Sequence, residues 1–416
     1  MSHQVPTYVI LPFAIILAGI AILPVARPHF WDRNRNKALF SLLLATPVAL
    51  WLYLAAPELF AHTAHEYVSF VSLLGSLFVV AGGIHLGGDL RATARVNTVI
   101  LGIGAVLASI LGTTGASMLL IRLLLRTNSE RQHTKHIPFF FILLVSNVGG
   151  LLTPLGDPPL FLGYLRGVPF VWTLRLFPIW LMTVTYLLVL FYWLDKRAYA
   201  RESLADKQRD EREVVPLTVE GRWNLLWLGL IMVSVFFESP AREATMLLAA
   251  AASYLFGEQT ARRKNAFTFA PINEVAILFA GIFVTMAPAL VLLEQKGPAL
   301  GLVSPWQFFF VSGALSSVLD NAPTYLSFLT TAQSTAASLG LARSVVSVPA
   351  SFLAAISAGA VLMGANTYIG NGPNFMVKSI AEGSGYRMPS FGRFALNAVI
   401  VLSPIYVATA FLVRLY

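Results

Sequence analysis

Ser146-Asn-Val-Gly-Gly-Leu-Leu-Thr-Pro-Leu-Gly-Asp-Pro-Pro-Leu-Phe-Leu-Gly163 decides the fold. The stretch lies inside an apolar run, 136–165, that is long enough to cross a bilayer. Yet it contains Asn147, Thr153, Asp157, paired glycines and three prolines, and no α-helix runs unbroken through such a series. It therefore predicts a span broken within the hydrocarbon. Non-helical backbone is tolerated there only where protein or a water-filled cavity covers it, so the break also predicts an internal site. The pattern occurs twice. Gly150 to Phe161 aligns with Gly364-Ala-Asn-Thr-Tyr-Ile-Gly-Asn-Gly-Pro-Asn-Phe375, with Gly, Thr, Gly, Pro and Phe coinciding at an offset of 214.

Around these two breaks, apolar segments fall at about 7–25, 38–55, 67–86, 97–126, 136–165 and 171–194, then at about 223–238, 242–257, 271–293, 304–330, 349–380 and 388–412. Charged residues make up 12% of the 416-residue chain, too few for a water-facing surface of that size. The break at 195–222 holds seven Lys/Arg and seven Asp/Glu and reads as a solvated cytoplasmic linker between two halves. In each half the fourth segment has a polar middle: Leu111-Gly-Thr-Thr-Gly-Ala-Ser117 in one, Ser316-Ser-Val-Leu-Asp-Asn-Ala-Pro-Thr324 in the other. Both read as re-entrant helical hairpins. With five full spans plus one hairpin per half, 22 Lys/Arg fall on one side and five on the other, with Arg122 and Arg175 inside segments. Treating the hairpins as full spans destroys that separation. The positive-inside rule makes the rich side cytoplasmic and places both termini outside. The net charge of +9 thus reports topology, not a nucleic-acid partner.

The expected fold class is an all-α polytopic membrane protein of two inverted repeats. Each has five transmembrane helices plus one re-entrant hairpin, with broken helices at 146–159 and 364–374. The first repeat is 1–194 (hairpin 97–126) and the second is 223–416 (hairpin 304–330), the architecture of many transporters. No cysteine is present, which excludes thiolate sites. The first apolar run follows no basic region and reads as a retained span.

Four polar insertions, 112–117, 146–159, 316–324 and 364–374, converge on one predicted ion or substrate site. Half-helix N-termini favour anions there, and unwound carbonyls favour cations. The candidate side chains are Thr113, Thr114, Ser117, Asn147, Thr153, Asp157, Asp320, Asn321, Thr324, Asn366, Thr367 and Asn371, with Asn374 nearby. For each Asn or Thr, capping of the break is the alternative. Asp157 and Asp320 stand out. A carboxylate at mid-bilayer costs several kcal/mol unless paired, hydrated or protonated, so a proton and Na⁺ can compete for it. A candidate Na⁺ site is drawn from Asp157, Asp320, Asn147 and Asn366. The alternatives are an Asx turn or N-cap for Asp157 and a hairpin-tip cap for Asp320. His85 reads as a satisfied interfacial histidine, with a proton relay as the alternative. Arg122 is expected to snorkel to the cytoplasmic face, with an anion contact as the alternative. Glu238 and Glu274 read as interfacial, and Trp172, Trp223, Trp227 and Trp306 as a belt. The motifs His-Glu-x-x-His, Gly-x-Ser-x-Gly and Gly-x-x-x-x-Gly-Lys-Ser/Thr are absent from the sequence. An enzyme is therefore not expected, nor any cofactor beyond transported Na⁺ or H⁺, and ion gradients rather than ATP are expected to drive the cycle.

Ser146–Gly163, together with Gly112-Thr-Thr-Gly-Ala-Ser117, Asp320-Asn-Ala-Pro-Thr324 and Gly364–Asn374, resembles the NhaD-type sodium/proton antiporters of the ion transporter superfamily. Arsenite permease-like proteins, citrate carriers and sodium-coupled dicarboxylate carriers belong to the same superfamily. The resemblance covers roughly 70–195 and 270–410. It implies a homodimer in the inner membrane, each protomer a scaffold plus a part that moves like an elevator. It also implies that Asn147, Thr153, Asp157, Asp320, Asn321, Asn366 and Thr367 line an ion site. Carboxylate carriers of the superfamily typically show Ser-Asn-Thr at their hairpin tips, and these tips differ. Related short members are named as citrate transporters. A sodium (lithium)/proton antiporter is the first reading, and a Na⁺- or H⁺-coupled transporter of an organic anion such as citrate is the alternative.

Overall fold

In the computed structural model, residues 7–31, 33–342 and 344–416 are described. The helices are α1 (Ile10–Ala26), α2 (Pro28–Trp31), α3 (Asn34–Ala55), α4 (Pro57–Gly82), α5 (Ala94–Thr127), α6 (His136–Leu144), α7 (Pro158–Leu165), α8 (Phe177–Ala200), α9 (Leu204–Arg212), α10 (Asn224–Ser234), α11 (Ala241–Phe256), α12 (Gln259–Lys264), α13 (Ala270–Lys296), α14 (Pro305–Ser316), α15 (Asn321–Ser338), α16 (Ala350–Gly364), α17 (Gly372–Gly383) and α18 (Phe391–Leu412). Two short strands, β1 (His85–Gly87) and β2 (Thr218–Glu220), pair antiparallel, with His85 opposite Glu220. Among the described residues, seven helical segments are long and apolar enough to cross a membrane. The protein is a multi-pass, all-α membrane protein.

Four expected spans and the second expected hairpin fall outside those seven, because their helices are short. A helix of 11 residues such as α10 rises about 16 Å, against a hydrocarbon core of about 30 Å. The first break separates α6 from α7, and the second separates α16 from α17.

The 34-residue α5 is not a straight rod. Gly112 has φ +78° and ψ 152°, a conformation that costs glycine least. Asn97 and Asn128, at the two ends, exchange amide hydrogen bonds of 2.9 and 2.8 Å. They are 31 residues apart, about 46 Å along a continuous helix at 1.5 Å per residue. The chain therefore folds back at Gly112, and α5 is a hairpin with both ends at one face. The pair α14–α15 also turns back. Ser334, in the last turns of α15, donates to the Leu293 carbonyl of α13, close to the residues that lead into α14. Its second arm ends at Ser338, eight residues beyond the expected 330, because Thr331, Ser334 and Thr335 are compatible with a helix that packs in protein.

The basic loops gather at one end. Arg131 pairs with Asp195 at 2.6 Å, Lys264 with Glu220 at 2.5 Å and Lys37 with Glu274 at 2.7 Å. Arg126 donates to the Gly88 carbonyl, and the Tyr386 hydroxyl to that of Leu125. At the opposite end Lys296 meets Thr7, and the Tyr416 hydroxyl donates to the Arg175 carbonyl. The expected outer placement of residues 1–6 and of Arg343 lies outside the described residues.

Two expectations need correction. Residues 195–222 are not simply solvated: Asp195, Glu202 and Asp210 are buried. Asp210 accepts from the Ala92 amide, and Glu202 from the Gln132 and His133 amides. Burial alone would raise the Glu202 carboxyl, but those two amides, His133 and Arg131 hold it below its ordinary range. Residues 57–66 continue α4 although they are polar, because hydropathy marks hydrocarbon and not helix length.

Two outcomes are expected. In this cysteine-free chain, Asn97→Cys with Asn128→Cys should cross-link with a short bis-maleimide, and failure in folded protein would contradict the hairpin. A Cβ at Gly156 would strike the Gly150 carbonyl, and one at Gly370 would lie 2.5 Å from the Gly364 carbonyl. Alanine at either should cost about 1–3 kcal/mol or more. Alanine at Gly229, which has nothing within 4 Å, should not lower stability. Melting temperature in detergent checks both.

Candidate functional site

Asp157 precedes Pro158-Pro159, and Asn371 precedes Gly372-Pro373. A following proline at Asp157 biases the backbone towards extended conformations, and the residue has φ −139°, ψ 141°. Asn371 matches it at φ −151°, ψ 139°. Each is an N-cap by position, but neither side chain caps its own helix. The Asx-turn or cap reading of Asp157 therefore fails, and its carboxylate is directed elsewhere.

That carboxylate is 1% exposed and accepts three side-chain hydrogen bonds. Oδ1 accepts from Thr113 Oγ1 at 3.0 Å and from Asn371 Nδ2 at 2.9 Å. Oδ2 accepts from Asn321 Nδ2 at 2.6 Å. The four residues come from the first hairpin, the two breaks and the second hairpin. Each also stands at a helix start: after Gly112, before α7, at α15 and before α17. Helix N-termini carry partial positive charge, so this is a place where an anion is stabilised, and the protein supplies one of its own.

Asp320 caps α15 by accepting from the Ala322 amide at 3.0 Å, which is the hairpin-tip cap, and it also lines the cavity. Thr113, Thr114, Asp157 and Asn371 line the same cavity. Asn321 supports it through Asp157, and its Oδ1 is buried without a hydrogen-bond partner among the described residues.

The other six candidates hold the breaks together. Ser117 Oγ lies 2.9 Å from Ser146 Oγ. Asn147 donates to the Ile142 carbonyl and to Asn374 Oδ1, and its own Oδ1 is buried and unpartnered. The Thr153 hydroxyl donates to the Ser109 carbonyl, and that of Thr367 to the Ser317 carbonyl. Thr324 donates back to the Asp320 carbonyl. Asn366 donates to Ser317 Oγ, and its Oδ1 accepts from the Tyr406 hydroxyl at 2.7 Å. Both ends of that amide are thereby engaged in holding the second break, and Asn366 does not line the cavity.

The cavity, about 670 Å³, runs between this cluster and a wall of α1, α3, α4 and α13. Gly112 at the hairpin tip is level with Leu77, in the half of α4 nearer Gly82 and the basic end. Sequence reading missed the part of the cavity wall where Trp31, Asn34 and Lys37 stand with Glu274. Lys37 was absorbed into the count of basic loop residues, and only the tertiary structure puts it on a cavity wall. His85 is satisfied by Asn265 at 2.8 Å and does not line the cavity. Arg122 does not line it either; the residue is partly exposed, with its Nη1 buried within protein.

No curated protein matches this chain. A family model, CitMHS_2, described as “Putative citrate transport”, matches residues 2–414. Nearly the whole sequence is covered, including both hairpins, both breaks and the cavity wall, and the chain therefore belongs to this citrate transport family of secondary transporters.

Proposed function

We propose that the protein carries a small polycarboxylate such as citrate, coupled to H⁺ or Na⁺, with Asp157 as the coupling carboxylate. The observation that carries this reading is Asp157 itself: one buried acid, gripped by three donors from three other helix starts, on the lining of a cavity of organic-ligand size. Family membership supplies the substrate class. Coupling follows from electrostatics. An uncompensated carboxylate costs several kcal/mol in hydrocarbon, so the empty ionised site resists translocation. A proton or Na⁺ on Asp157 removes that penalty. The unpartnered Asn321 Oδ1 is a neutral acceptor suited to help hold a hard cation.

The movement we favour is an elevator step. The two hairpins and α6–α7 and α16–α17 would slide as one part past α1, α3, α4 and α13. Inverted repeats support such a part. Thr153 on Ser109 recurs as Thr367 on Ser317, and the Gly150–Gly156 approach recurs as Gly364–Gly370. The positive-inside rule places the basic end, toward which the cavity extends, in the cytoplasm of an inner membrane. A homodimer would give the scaffold its fixed seat.

A sodium or lithium/proton antiporter of the NhaD type is the second reading. Charge favours it: Asp157, Asp320 and Glu274 line the cavity against Lys37 alone among the described residues.

Reconstituted vesicles separate the two. Labelled citrate uptake under an imposed Na⁺ or H⁺ gradient is expected, and its absence at every gradient would remove the carboxylate reading. Asp157→Asn should slow uptake at least ~100-fold, equivalent to about 2.7 kcal/mol at the barrier. Asp320→Asn keeps a capping oxygen and should stay within about tenfold of the native rate. Na⁺-driven pH change without citrate would favour the antiporter, and its survival when both aspartates are asparagine would sink that reading in turn.

A further inference from the structure

We propose that Lys37 is a substrate-contacting residue, which takes one carboxylate of the transported polycarboxylate in the state open toward the basic end. The inference rests on the carboxylate reading above. Lys37 lies on the first turns of α3, and its side chain is 6% exposed, whereas that of its partner Glu274 is 38% exposed. The ammonium is thus the inner member of the pair and the carboxylate the solvent-facing one. A purely structural role explains this poorly. Buried ion pairs stabilise weakly compared with apolar packing, and a lysine near a helix end can reach water by extending its stem.

The contacts leave the ammonium with capacity to spare. It has three donors. Among the described residues its one polar partner is Glu274 Oε1 at 2.7 Å, with the Trp31 ring 5.9 Å away. Lys37 is also the one Lys, Arg or His that lines the cavity among the described residues. Two carboxylates, Asp157 and Asp320, stand toward the hairpin tips, and the ammonium stands on the opposing wall. The cavity therefore has one wall that suits a coupled cation and a facing wall that carries the ammonium. A molecule with several carboxylates meets repulsion at the first and attraction at the second. Glu274 holds the ammonium in place when the cavity is empty, and a substrate carboxylate joins or replaces it there.

Two features follow from the location. Lys37 belongs to α3, which packs on α13, α1 and α4, all on the wall facing the hairpins, so in an elevator step it stays behind when the site moves. Its contact is made on one side of the membrane only. The pair also predicts opposite signs for its two members. Losing the ammonium weakens binding, whereas losing the competing carboxylate strengthens it.

The test uses labelled citrate uptake by the full chain in vesicles, with KM and maximal rate measured separately, and with variants checked for monodispersity in detergent. Lys37→Met is expected to raise KM about tenfold, which is about 1.4 kcal/mol, with a smaller change in maximal rate. Glu274→Gln should lower KM, and arginine in place of lysine (Lys37→Arg) should keep KM near the native value. A brace-like pair would behave otherwise: Lys37→Met and Glu274→Gln would both lower the maximal rate or the yield of folded protein, with KM unmoved, and that result overturns the proposal. Wild-type protein that moves no citrate under any gradient overturns the carboxylate reading, and this assignment with it. Uptake by the wild type with Lys37→Met indistinguishable from it overturns the assignment alone.

Discussion

The site depends on the desolvation of one carboxylate. Asp157 cannot stay ionised in a buried setting unless donors are brought to it, and the donors come from three other segments. Thr113 follows the tip of one hairpin, Asn321 starts the second arm of the other, and Asn371 closes the opposite break. No two of these four segments are adjacent in sequence in a way that would place them together locally. Meeting this one requirement fixes the relative positions of both hairpins and both broken spans. The helix starts that come with them add their dipoles to the same place.

Close backbone approach makes that convergence possible. Gly150 meets Gly156, and Gly364 meets Gly370, so each break folds tightly on itself without side chains in the way. Gly112 reverses the first hairpin in a conformation that most residues resist. The threonines and asparagines that do not reach Asp157 saturate the carbonyls these breaks expose. Thr153 and Thr367 each bond a hairpin carbonyl, and Asn374 serves the Gly364 and Thr367 carbonyls. Breaks left unsatisfied would be costly in hydrocarbon, so these hydrogen bonds are what lets the interrupted spans persist there. The opposite wall is built differently, from long continuous helices whose polar groups pair among themselves, as Lys37 does with Glu274.

Much of this was legible in the chain. Apolar runs located the spans, and proline and glycine located the breaks, because a low-dielectric medium punishes unpaired backbone groups wherever they occur. The separation of basic loops predicted which ends meet, and the ties from Arg131, Lys264 and Tyr386 put those loops together. Asp157 was conspicuous because an acid among apolar residues is rare. Sequence did not distinguish Asp157 from Asp320, although the first gathers donors and the second caps a helix. Nor did it distinguish Asn321, which grips the carboxylate, from Asn366, which is held by Ser317 and Tyr406. An amide in a break has the same appearance in either role, and only its neighbours across the fold decide.

The sequence by itself determined that this is a multi-pass membrane protein with two matching breaks and two polar-tipped segments, because hydropathy and backbone satisfaction act residue by residue along the chain. The tertiary structure alone decided which side chains share a cavity, that polar residues 57–66 continue a helix, that Asp195, Glu202 and Asp210 leave the linker for the interior, and that Lys37 faces the same space as Asp157. Those are relations between segments tens to hundreds of residues apart. They depend on packing and charge between surfaces that the linear order does not bring together.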